Sequence, residues 1–537
     1  MAQRPQRSLS GLTFWGQAKR PIDKKSGQVP NRQKLGKQAK RPIDKKIRPS
    51  AQSTKTWETG QVPNRQKTEV SMSSHPLEGA RGRASQTLAQ EECLIFEQSK
   101  AGARGMDLPP SGVEGFDPSS VLPETLRRQQ PAELPEVCEA QVMRHFVRLS
   151  QWNYSIDTGM YPLGSCTMKY NPRANESAAA MPEFGRLHPY MPVDWCQGAL
   201  ALMSALEDML CAISGLDACS LQPAAGAHGE LTGLWVMRAA LAARGQGTRN
   251  KILVPDSAHG TNPASSSLAG CTSVELKSGD DGLLDPEAVR AAMDEDCVGL
   301  MVTNPNTLGF FESRIAEVAQ IVHERGGLVY LDGANMNAIQ GKVRPADMGV
   351  DVMHFNLHKT YSTPHGGGGP GSGPICVTQE LAPFLPVPRI LRDENGRYSL
   401  SDAHPQAIGK VKAFYGNFLI LVRAYAYIRA LGAEGVRQNA ELAVLNANYL
   451  RAHLLPTYKL ARSGHCMHEV VLCDASFKEQ VKTLDLCKRL MDYGFHPPTM
   501  YFPLNVSGAI MIEPTESESK LTLDRFVKAM LEIHAEA

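Results

Sequence analysis

The chain of 537 residues is long enough for two or more domains, and its 42% hydrophobic and 21% charged residues are typical of a soluble globular protein. Residues 1–71 contain 17 Lys/Arg against 4 Asp/Glu, a net charge of +13, which leaves −11 for the rest. The mildly acidic remainder does not indicate nucleic-acid binding, and no apolar run is long enough to indicate a membrane span. Twelve scattered cysteines without a CxxC pair fit a reducing compartment, so we expect a cytoplasmic protein.

Word-for-word repeats occupy the N-terminal tract, residues 1–71. The segment 17–25, for example, recurs at 38–46. Such basic repeats contain too few apolar residues to form a core, so we expect a disordered tract. A basic arm, a transit peptide and a mis-assigned start upstream of Met72 are the alternatives, and we favour the last.

Residues 72–190 are predicted to wrap over a larger body. Prolines and charges dominate the first half of this segment, and a helix is predicted over 135–151. Residues 157–172 form a loop of glycine and small polar groups. Long loops of this kind inside a compact enzyme are often functional, although a purely structural loop is equally compatible.

A glycine-rich helix start follows a helix predicted over 194–214. Gly226, Ala227 and His228 lead into a second helix that ends near residue 244. Small residues at a helix N-terminus leave backbone N–H groups open to an anion, so this turn can hold a cofactor phosphate. His228 could then lie flat against an aromatic ring. A helix start with a solvent-exposed histidine is the alternative.

Strands alternate with helices between residues 250 and 380, and this order predicts a mainly parallel sheet covered on both faces. We assign it to a large domain over 191–384. The predicted strands are Ile252–Val254, Ser273–Leu276, Val298–Val302, Leu328–Leu331, Val352–Phe355 and Pro374–Val377. Ligands of such sheets bind at the carboxyl ends of the strands, where His259, Asn262 and Thr307 fall.

Asp332 and Lys359 follow two of these strands. Asp332 comes directly after an apolar run, so its carboxylate is expected to be buried and to need a cation, which a protonated pyridine nitrogen supplies. Partial desolvation of Lys359 would lower the pKa of its amine and make it a nucleophile, as a Schiff base with pyridoxal phosphate requires. An aspartate that caps a turn and a surface lysine are the alternatives.

The glycines at 366–373 do not indicate a nucleotide site, because a P-loop has its lysine after the glycines and Lys359 precedes them. His354, His358 and His365 lack a convincing fourth ligand for zinc. No metal site is therefore predicted.

Residues 385–537 are predicted to hold connecting helices and a small α/β domain. An apolar seam from Val411 to Ile428 predicts one helix, and a second is predicted over 434–454. The segments that follow are predicted as strand, helix, strand and helix, at Glu469–Leu472, Val481–Met491, Ala509–Ile512 and Leu521–His534. The loop from Glu513 to Glu516 could face the cleft.

Six ordered segments resemble a known family. They are Pro162–Pro172, Ala225–Glu230, His259–Pro263, Thr303–Gly309, Asp332–Asn335 and His354–Gly371. They closely resemble the glycine cleavage system P-protein, and in particular subunit 2 (beta) of its two-subunit form. The resemblance runs from about residue 90 to the C-terminus, and residues 1–71 have no counterpart in that family. It implies an α/β enzyme of the pyridoxal phosphate (PLP) fold type I, with an aspartate aminotransferase-like large domain.

The same resemblance implies roles for individual residues. Lys359 would bind pyridoxal 5'-phosphate covalently as a Schiff base, Asp332 would pair with the pyridine nitrogen and His228 would stack on the ring. The other implied cofactor-region residues are Gly226, Ala227, Ala334, Thr307 and His358, and the tentative substrate residues are His259 and Asn262.

The implied activity is that of glycine dehydrogenase (aminomethyl-transferring), in which glycine loses carbon dioxide and its aminomethyl group passes to the lipoyl arm of the H-protein. The implied partners are a homologous alpha subunit, in an alpha2beta2 heterotetramer, and the lipoylated H-protein, with the T-protein and L-protein acting in the same system. Another fold-type-I enzyme, such as an amino acid decarboxylase or a cysteine desulfurase, should lack the loop at 162–172. A catalytically silent scaffold subunit should lack Lys359.

Overall fold

The computed structural model describes residues 92–537, except 111, 113, 114, 116, 131, 367, 368 and 479. The predicted repeat tract over 1–71 lies outside the described residues. The helices are α1 Glu139–Gln151, α2 Arg173–Ala179, α3 Pro182–Gly185, α4 Gln197–Ser214, α5 Gly226–Ala243, α6 Thr261–Leu268, α7 Pro286–Ala292, α8 Ile315–Glu324, α9 Phe418–Leu454, α10 Thr483–Asp492 and α11 Lys520–Glu536. The strands are β1 Ala218–Ser220, β2 Lys251–Pro255, β3 Thr272–Leu276, β4 Cys297–Thr303, β5 Leu328–Gly333, β6 Val352–Phe355, β7 Ile375–Val377, β8 Arg389–Arg392, β9 Tyr398–Ser401, β10 Lys459–Leu460, β11 Val470–Cys473, β12 Thr499–Met500 and β13 Ala509–Ile512.

A seven-stranded sheet in the order β1-β7-β6-β5-β4-β2-β3 forms the centre of the large domain. Strands β3, β2, β4, β5 and β6 run parallel, whereas β7 pairs antiparallel with β6 and with β1. The prediction of a mainly parallel sheet is therefore confirmed. Strand β1 was missed because its three residues are too few to show a period-2 pattern.

The two faces of this sheet carry separate hydrophobic cores. Side chains alternate between the faces along each strand, so Leu300 of β4 and Val329 and Leu331 of β5 join one core. Met301 and Tyr330 join the other. Burying each such aliphatic side chain stabilises the fold by about 1.5–3 kcal/mol, which fixes the strand register and hence the position of the strand ends.

Helix α9 differs from the two helices predicted over this region. It begins at Phe418 rather than near Val411, because Phe414 and Gly416 have φ angles of 63° and 101°, in the left-handed region. Gly432, with φ 64° and ψ −179°, kinks α9 between its two halves in a conformation that only glycine adopts readily. The first half packs in the large-domain core, which Val436 of the second half also joins, and the end of the second half packs in the C-terminal core.

The C-terminal part contains a four-stranded antiparallel sheet in the order β10-β11-β13-β12. The predicted strands at 469–472 and 509–512 and the two helices after them are present, and the two-residue strands β10 and β12 were not predicted. The domain bounds at 190 and 384 stay predictions. Within the described part of the chain, no helix combines the length and apolar character that crossing a membrane requires.

Candidate active site

Lys359 and Asp332 lie at the carboxyl ends of neighbouring parallel strands. Strand β5 pairs with β6, and Asp332 is opposite His354 in the register. The chain turns after β6, and the backbone N–H of Lys359 donates to the carbonyl of Asn356 at 3.1 Å. The half-buried Lys359 side chain then donates from Nζ to the carbonyl of Ser165 at 2.8 Å. The strand order thus brings together two groups that are separated in sequence.

The Asp332 carboxylate is 1% exposed and is surrounded by donors. Its Oδ2 lies 2.7 Å from Nδ1 of His259 and accepts from Nδ2 of Asn262 at 3.0 Å, and its Oδ1 accepts from the backbone N–H of Ala334 at 2.9 Å. Burial alone raises the pKa of Asp332, but His259, His354 and Asn262 outweigh it and hold the pKa well below its ordinary value. Asp332 is therefore a buried carboxylate that stays ionised.

The N-terminus of α5 lies beside the turn that carries Lys359. The N-cap residue Ala225 supplies no side-chain hydrogen bond, so the first N–H groups of α5 are uncapped. A Cβ at Gly226 would lie 2.3 Å from Oδ1 of Asn356, so the backbone approaches that side chain as only glycine allows. Nδ1 of His228 accepts from the backbone N–H of Ala224 at 3.1 Å, and burial lowers the pKa of His228. Its imidazole is therefore neutral near pH 7.

His358 and Thr307 are held by the surrounding loops. Nδ1 of His358 accepts from the backbone N–H of Ser372 at 3.3 Å, and burial lowers the pKa of His358 to about 3. Thr307 is 1% exposed and donates from Oγ1 to the carbonyl of Ser257 at 2.7 Å. This bond fixes Thr307 against the loop after β2, and no hydrogen bond between Thr307 and Asp332 or Lys359 is present among the described residues.

Residues 163–169, which we call the strap, cross from Lys359 to the C-terminal part. The backbone N–H of Ser165 donates to Oε2 of Glu469 at 2.8 Å. The backbone N–H and Oγ1 of Thr167 donate to the carboxylate of Glu513 at 3.0 and 2.7 Å. Ser165 and Thr167 have φ angles of 59° and 46°, an uncommon conformation for residues with a Cβ, which these hydrogen bonds hold in place.

Lys169 ends the strap in a buried ion pair. Its side chain is 2% exposed, and Nζ donates to Oε1 of Glu516 at 2.7 Å and to Oδ1 of Asn337 at 3.2 Å. The hydroxyl of Tyr427 donates to the same Glu516 oxygen at 3.2 Å. The pair thus joins the strap to helix α9 and to the loop after β13.

Three buried groups of the C-terminal part lie close together. They are His468, Glu469 and Glu513, of which one ring nitrogen and one oxygen from each carboxyl lie within 4.8 Å of one another. Of these, the sequence singled out only Glu513, in the loop that could face the cleft; its Oε1 accepts a hydrogen bond from Nδ2 of Asn335 at 3.0 Å. For His468 and Glu469 the local sequence shows only the start of a strand.

The solved structures whose fold resembles that of this chain are PLP enzymes of fold type I. The family model described as "Aminotransferase class-V" matches residues 235–382. A solved structure of a glycine decarboxylase (P-protein) in inhibitor-bound form has a TM-score of 0.65 at 23% identity, covering 77% of this chain and 94% of that one. A cysteine desulfurase from Escherichia coli has a TM-score of 0.54 at 17% identity, covering 70% and 96%. The chain therefore has the fold-type-I architecture.

Sequence relatives narrow this class to one family. A probable glycine dehydrogenase (decarboxylating) subunit 2 from Caldanaerobacter subterraneus subsp. tengcongensis is 55% identical over 84% of this chain and 93% of its own length. Its counterpart in Bacillus licheniformis is 54% identical over 83% and 92%. The family model described as "Glycine dehydrogenase, C-terminal domain" matches residues 439–537. The chain belongs to the glycine dehydrogenase (decarboxylating) subunit 2 family.

The residues present fit the PLP that this family implies. Asn356 Oδ1 and His354 Nε2 are buried and have no hydrogen-bond partner among the described residues, although His354 Nε2 lies 3.5 Å from Asp332. The uncapped start of α5 offers N–H groups for a phosphate. The ionised Asp332 supplies a countercharge for a protonated pyridine nitrogen. The N–H groups of α5 thus suit the anionic phosphate of the cofactor, and Asp332 suits its cationic ring nitrogen.

Proposed function

We propose that this chain is subunit 2 of a glycine dehydrogenase (decarboxylating) and carries the active site for glycine decarboxylation, with pyridoxal 5'-phosphate on Lys359. One observation supports this most: the Lys359 amine, the ionised Asp332 carboxylate and the uncapped start of α5 all lie at the carboxyl edge of one sheet. These are the three groups that a cofactor with an aldehyde, a ring nitrogen and a phosphate requires.

The bound cofactor would supply an electron sink for the electron pair that glycine retains when it loses carbon dioxide. Asp332 would keep the ring nitrogen protonated, because its carboxylate remains charged at neutral pH. His259 and Asn262 would hold that carboxylate in place from one side and the Ala334 N–H from the other. His259 and Asn262 would thus act through Asp332, and their expected role as substrate contacts stays a prediction.

Gly226 and Ala227 would hold the phosphate through the uncapped N–H groups of α5. His228, the third residue of that helix, would stack on the ring as a neutral imidazole. His358 would be a second neutral imidazole next to Lys359, since burial disfavours its charged form.

The partners we propose are a homologous alpha subunit, in an alpha2beta2 heterotetramer, and a lipoylated H-protein that accepts the aminomethyl group. The relatives' designation as subunit 2 supports the first of these. The T-protein and L-protein would act on the subsequent products, and the location would be cytoplasmic.

Reconstitution tests this assignment. The chain is combined with PLP, the alpha subunit, lipoylated H-protein and glycine, and exchange of labelled bicarbonate into glycine is followed. We expect exchange in the wild type and none in Lys359→Ala. Lys342→Ala is the matched control, because this exposed lysine pairs with Glu441 on the surface. Absence of exchange in the wild type, or exchange that survives in Lys359→Ala, contradicts the proposal; alanine formation from cysteine would favour a desulfurase.

A further inference from the structure

Two side chains of the large sheet form a row with Asp332. Tyr330 and Asp332 are two positions apart on β5, so their side chains lie on the same face of the sheet. His354 of β6 is opposite Asp332 in the strand register. The hydroxyl of Tyr330 lies 2.7 Å from Nδ1 of His354, and Nε2 of His354 lies 3.5 Å from Oδ1 of Asp332. In this row, which we call the aspartate row, the imidazole lies between a tyrosine hydroxyl and the carboxylate.

Burial determines which nitrogen of His354 carries the proton. Tyr330 and His354 are both 0% exposed, so neither can exchange its partner for water. Burial lowers the pKa of His354, so its imidazole has a single N–H near pH 7. Because Nε2 faces the ionised carboxylate of Asp332, the proton belongs on Nε2. Nδ1 then accepts a hydrogen bond from the hydroxyl of Tyr330, which retains its proton because burial raises its pKa.

Glu230 of α5 is the other carboxyl group close to the aspartate row. One of its oxygens, an oxygen of Asp332 and a ring nitrogen of His354 lie within 4.8 Å of one another. The two Glu230 oxygens accept hydrogen bonds from the hydroxyls of Thr261 and Ser265 of α6, at 2.8 and 2.9 Å. Donors of α6 therefore bind Glu230, whereas Nε2 of His354 has no hydrogen-bond partner among the described residues and faces Asp332.

Helix α5 covers the aspartate row through two of its glycines. A Cβ at Gly229 would lie 2.9 Å from Cβ of His354, and a Cβ at Gly233 would lie 2.4 Å from Cε2 of Tyr330. Both distances are shorter than a normal contact between carbon atoms, so the helix backbone rests directly on the two side chains. The helix that offers its first N–H groups to a phosphate is thus packed on the row that ends at Asp332.

We propose that Tyr330 and His354 are positioning residues of the cofactor site. The Tyr330 hydroxyl fixes the His354 tautomer in which Nε2–H faces Asp332, and this N–H stabilises the negative charge of the carboxylate. Tyr330 and His354 act through Asp332, and the carboxylate in turn keeps the pyridine nitrogen of PLP protonated. The inference rests on the proposed function, in which Asp332 pairs with that nitrogen.

Equilibrium titration with PLP, followed by absorbance, tests the role of Tyr330. Tyr330→Phe removes one oxygen and retains the packed ring. We expect it to lower PLP affinity about 3–10-fold, which corresponds to the loss of one buried hydrogen bond. Tyr458→Phe is the matched control, since Tyr458 is 1% exposed and its hydroxyl donates to the carbonyl of Met530 at 2.7 Å in the C-terminal core. The control should retain the affinity of the wild type, and urea unfolding measures the loss of stability in both variants.

A double-mutant cycle separates positioning from a structural role. If Tyr330 acts through the charge of Asp332, then Tyr330→Phe should lower PLP affinity no further once Asp332→Asn has removed that charge. Losses of affinity that add up in the double variant would show that Tyr330 only supports the fold around the site. That result overturns the proposal, and so does wild-type affinity in Tyr330→Phe.

Nitrogen NMR of PLP that is isotopically labelled at its ring nitrogen provides a second measurement. In the wild type and in Tyr458→Phe we expect the chemical shift of a protonated ring nitrogen. In Tyr330→Phe we expect a shift towards the value of the unprotonated ring, and an unchanged shift contradicts the proposal.

The two proposals fail in distinguishable ways, because neither measurement uses glycine. A wild-type chain that binds no PLP would refute the proposed function and this inference together. A wild type that binds PLP and is matched by Tyr330→Phe in both measurements would refute this inference alone.

Discussion

Lys359 donates a hydrogen bond of 2.8 Å to the backbone carbonyl of Ser165, a residue 194 positions earlier in the chain. This contact is between a side chain at a strand end of the large domain and a strap that also binds Glu469 and Glu513 of the C-terminal part. The Lys359 amine therefore lies at a position to which both the large domain and the C-terminal part contribute contacts. Variants of either part are expected to change the chemistry of the lysine.

Asp332→Asn should weaken PLP binding about 10–100-fold, because a hydrogen bond to a buried charged group contributes about 1.5–3 kcal/mol. The asparagine keeps the shape of the side chain but cannot supply the negative charge for the ring nitrogen. Equilibrium titration with PLP, followed by absorbance, measures the change. Asp281→Asn, at an exposed aspartate paired with Arg314, should leave the affinity unchanged. Equal affinity in Asp332→Asn and the wild type would remove Asp332 from the cofactor site.

Gly226→Ala should reduce PLP affinity while the chain still folds. The new Cβ would lie 2.3 Å from Oδ1 of Asn356, so the start of α5 or that side chain has to move. Overpacking of this kind costs about 1–3 kcal/mol. Gly198→Ala is the control, since a Cβ at Gly198 meets nothing within 4 Å. A loss of affinity of the same size in both variants would show that the effect is not local to α5.

Lys169→Met should destabilise the chain by about 3–5 kcal/mol, because it leaves the carboxylate of Glu516 buried without its partner. The double variant Lys169→Met, Glu516→Leu should regain much of this loss, since it removes both charges. Urea unfolding of the three proteins measures the difference. If the single and double variants were equally unstable, packing of the lysine stem rather than the unpaired charge would be the cause.

His323 provides a pH-dependent contribution to stability outside the active site. Nε2 of His323 lies 2.7 Å from Oδ2 of Asp351, and this contact raises the pKa of His323 above 6.5 in the folded chain. A raised folded pKa stabilises the fold below the unfolded pKa, and the contribution is lost as the pH rises through the folded value. His323→Gln should therefore lower the melting temperature at pH values near 6 but not near 9. An identical decrease at both pH values would contradict this.

The sequence was informative where the site depends on local patterns. Apolar runs predicted the strands, and the polar residues that follow them predicted Asp332 and Lys359 at one edge of the sheet. Residues whose position depends on distant segments could not be found in this way. Ser165 and Glu469 are 304 positions apart, and Thr167 and Glu513 are 346 apart. No periodicity relates such pairs, since only the docking of the C-terminal part on the strap brings them together.

The start of α9 shows a second limit of prediction from the sequence. The apolar seam from Val411 continues the helical spacing, yet Phe414 and Gly416 have left-handed φ angles and the helix begins at Phe418. Periodicity reports which side chains are buried and not which backbone conformation buries them. At these residues tertiary packing therefore overrides the helical conformation that the apolar spacing predicts.

The strap connects the C-terminal part to the Lys359 amine. Any movement that separated the C-terminal part from the large sheet would have to break the bonds to Ser165 and Thr167 together with the buried pair of Lys169 and Glu516. The same movement would displace the carbonyl that holds the Lys359 amine. The bonds that attach the C-terminal part to the strap and the bond that holds the lysine would therefore be lost together.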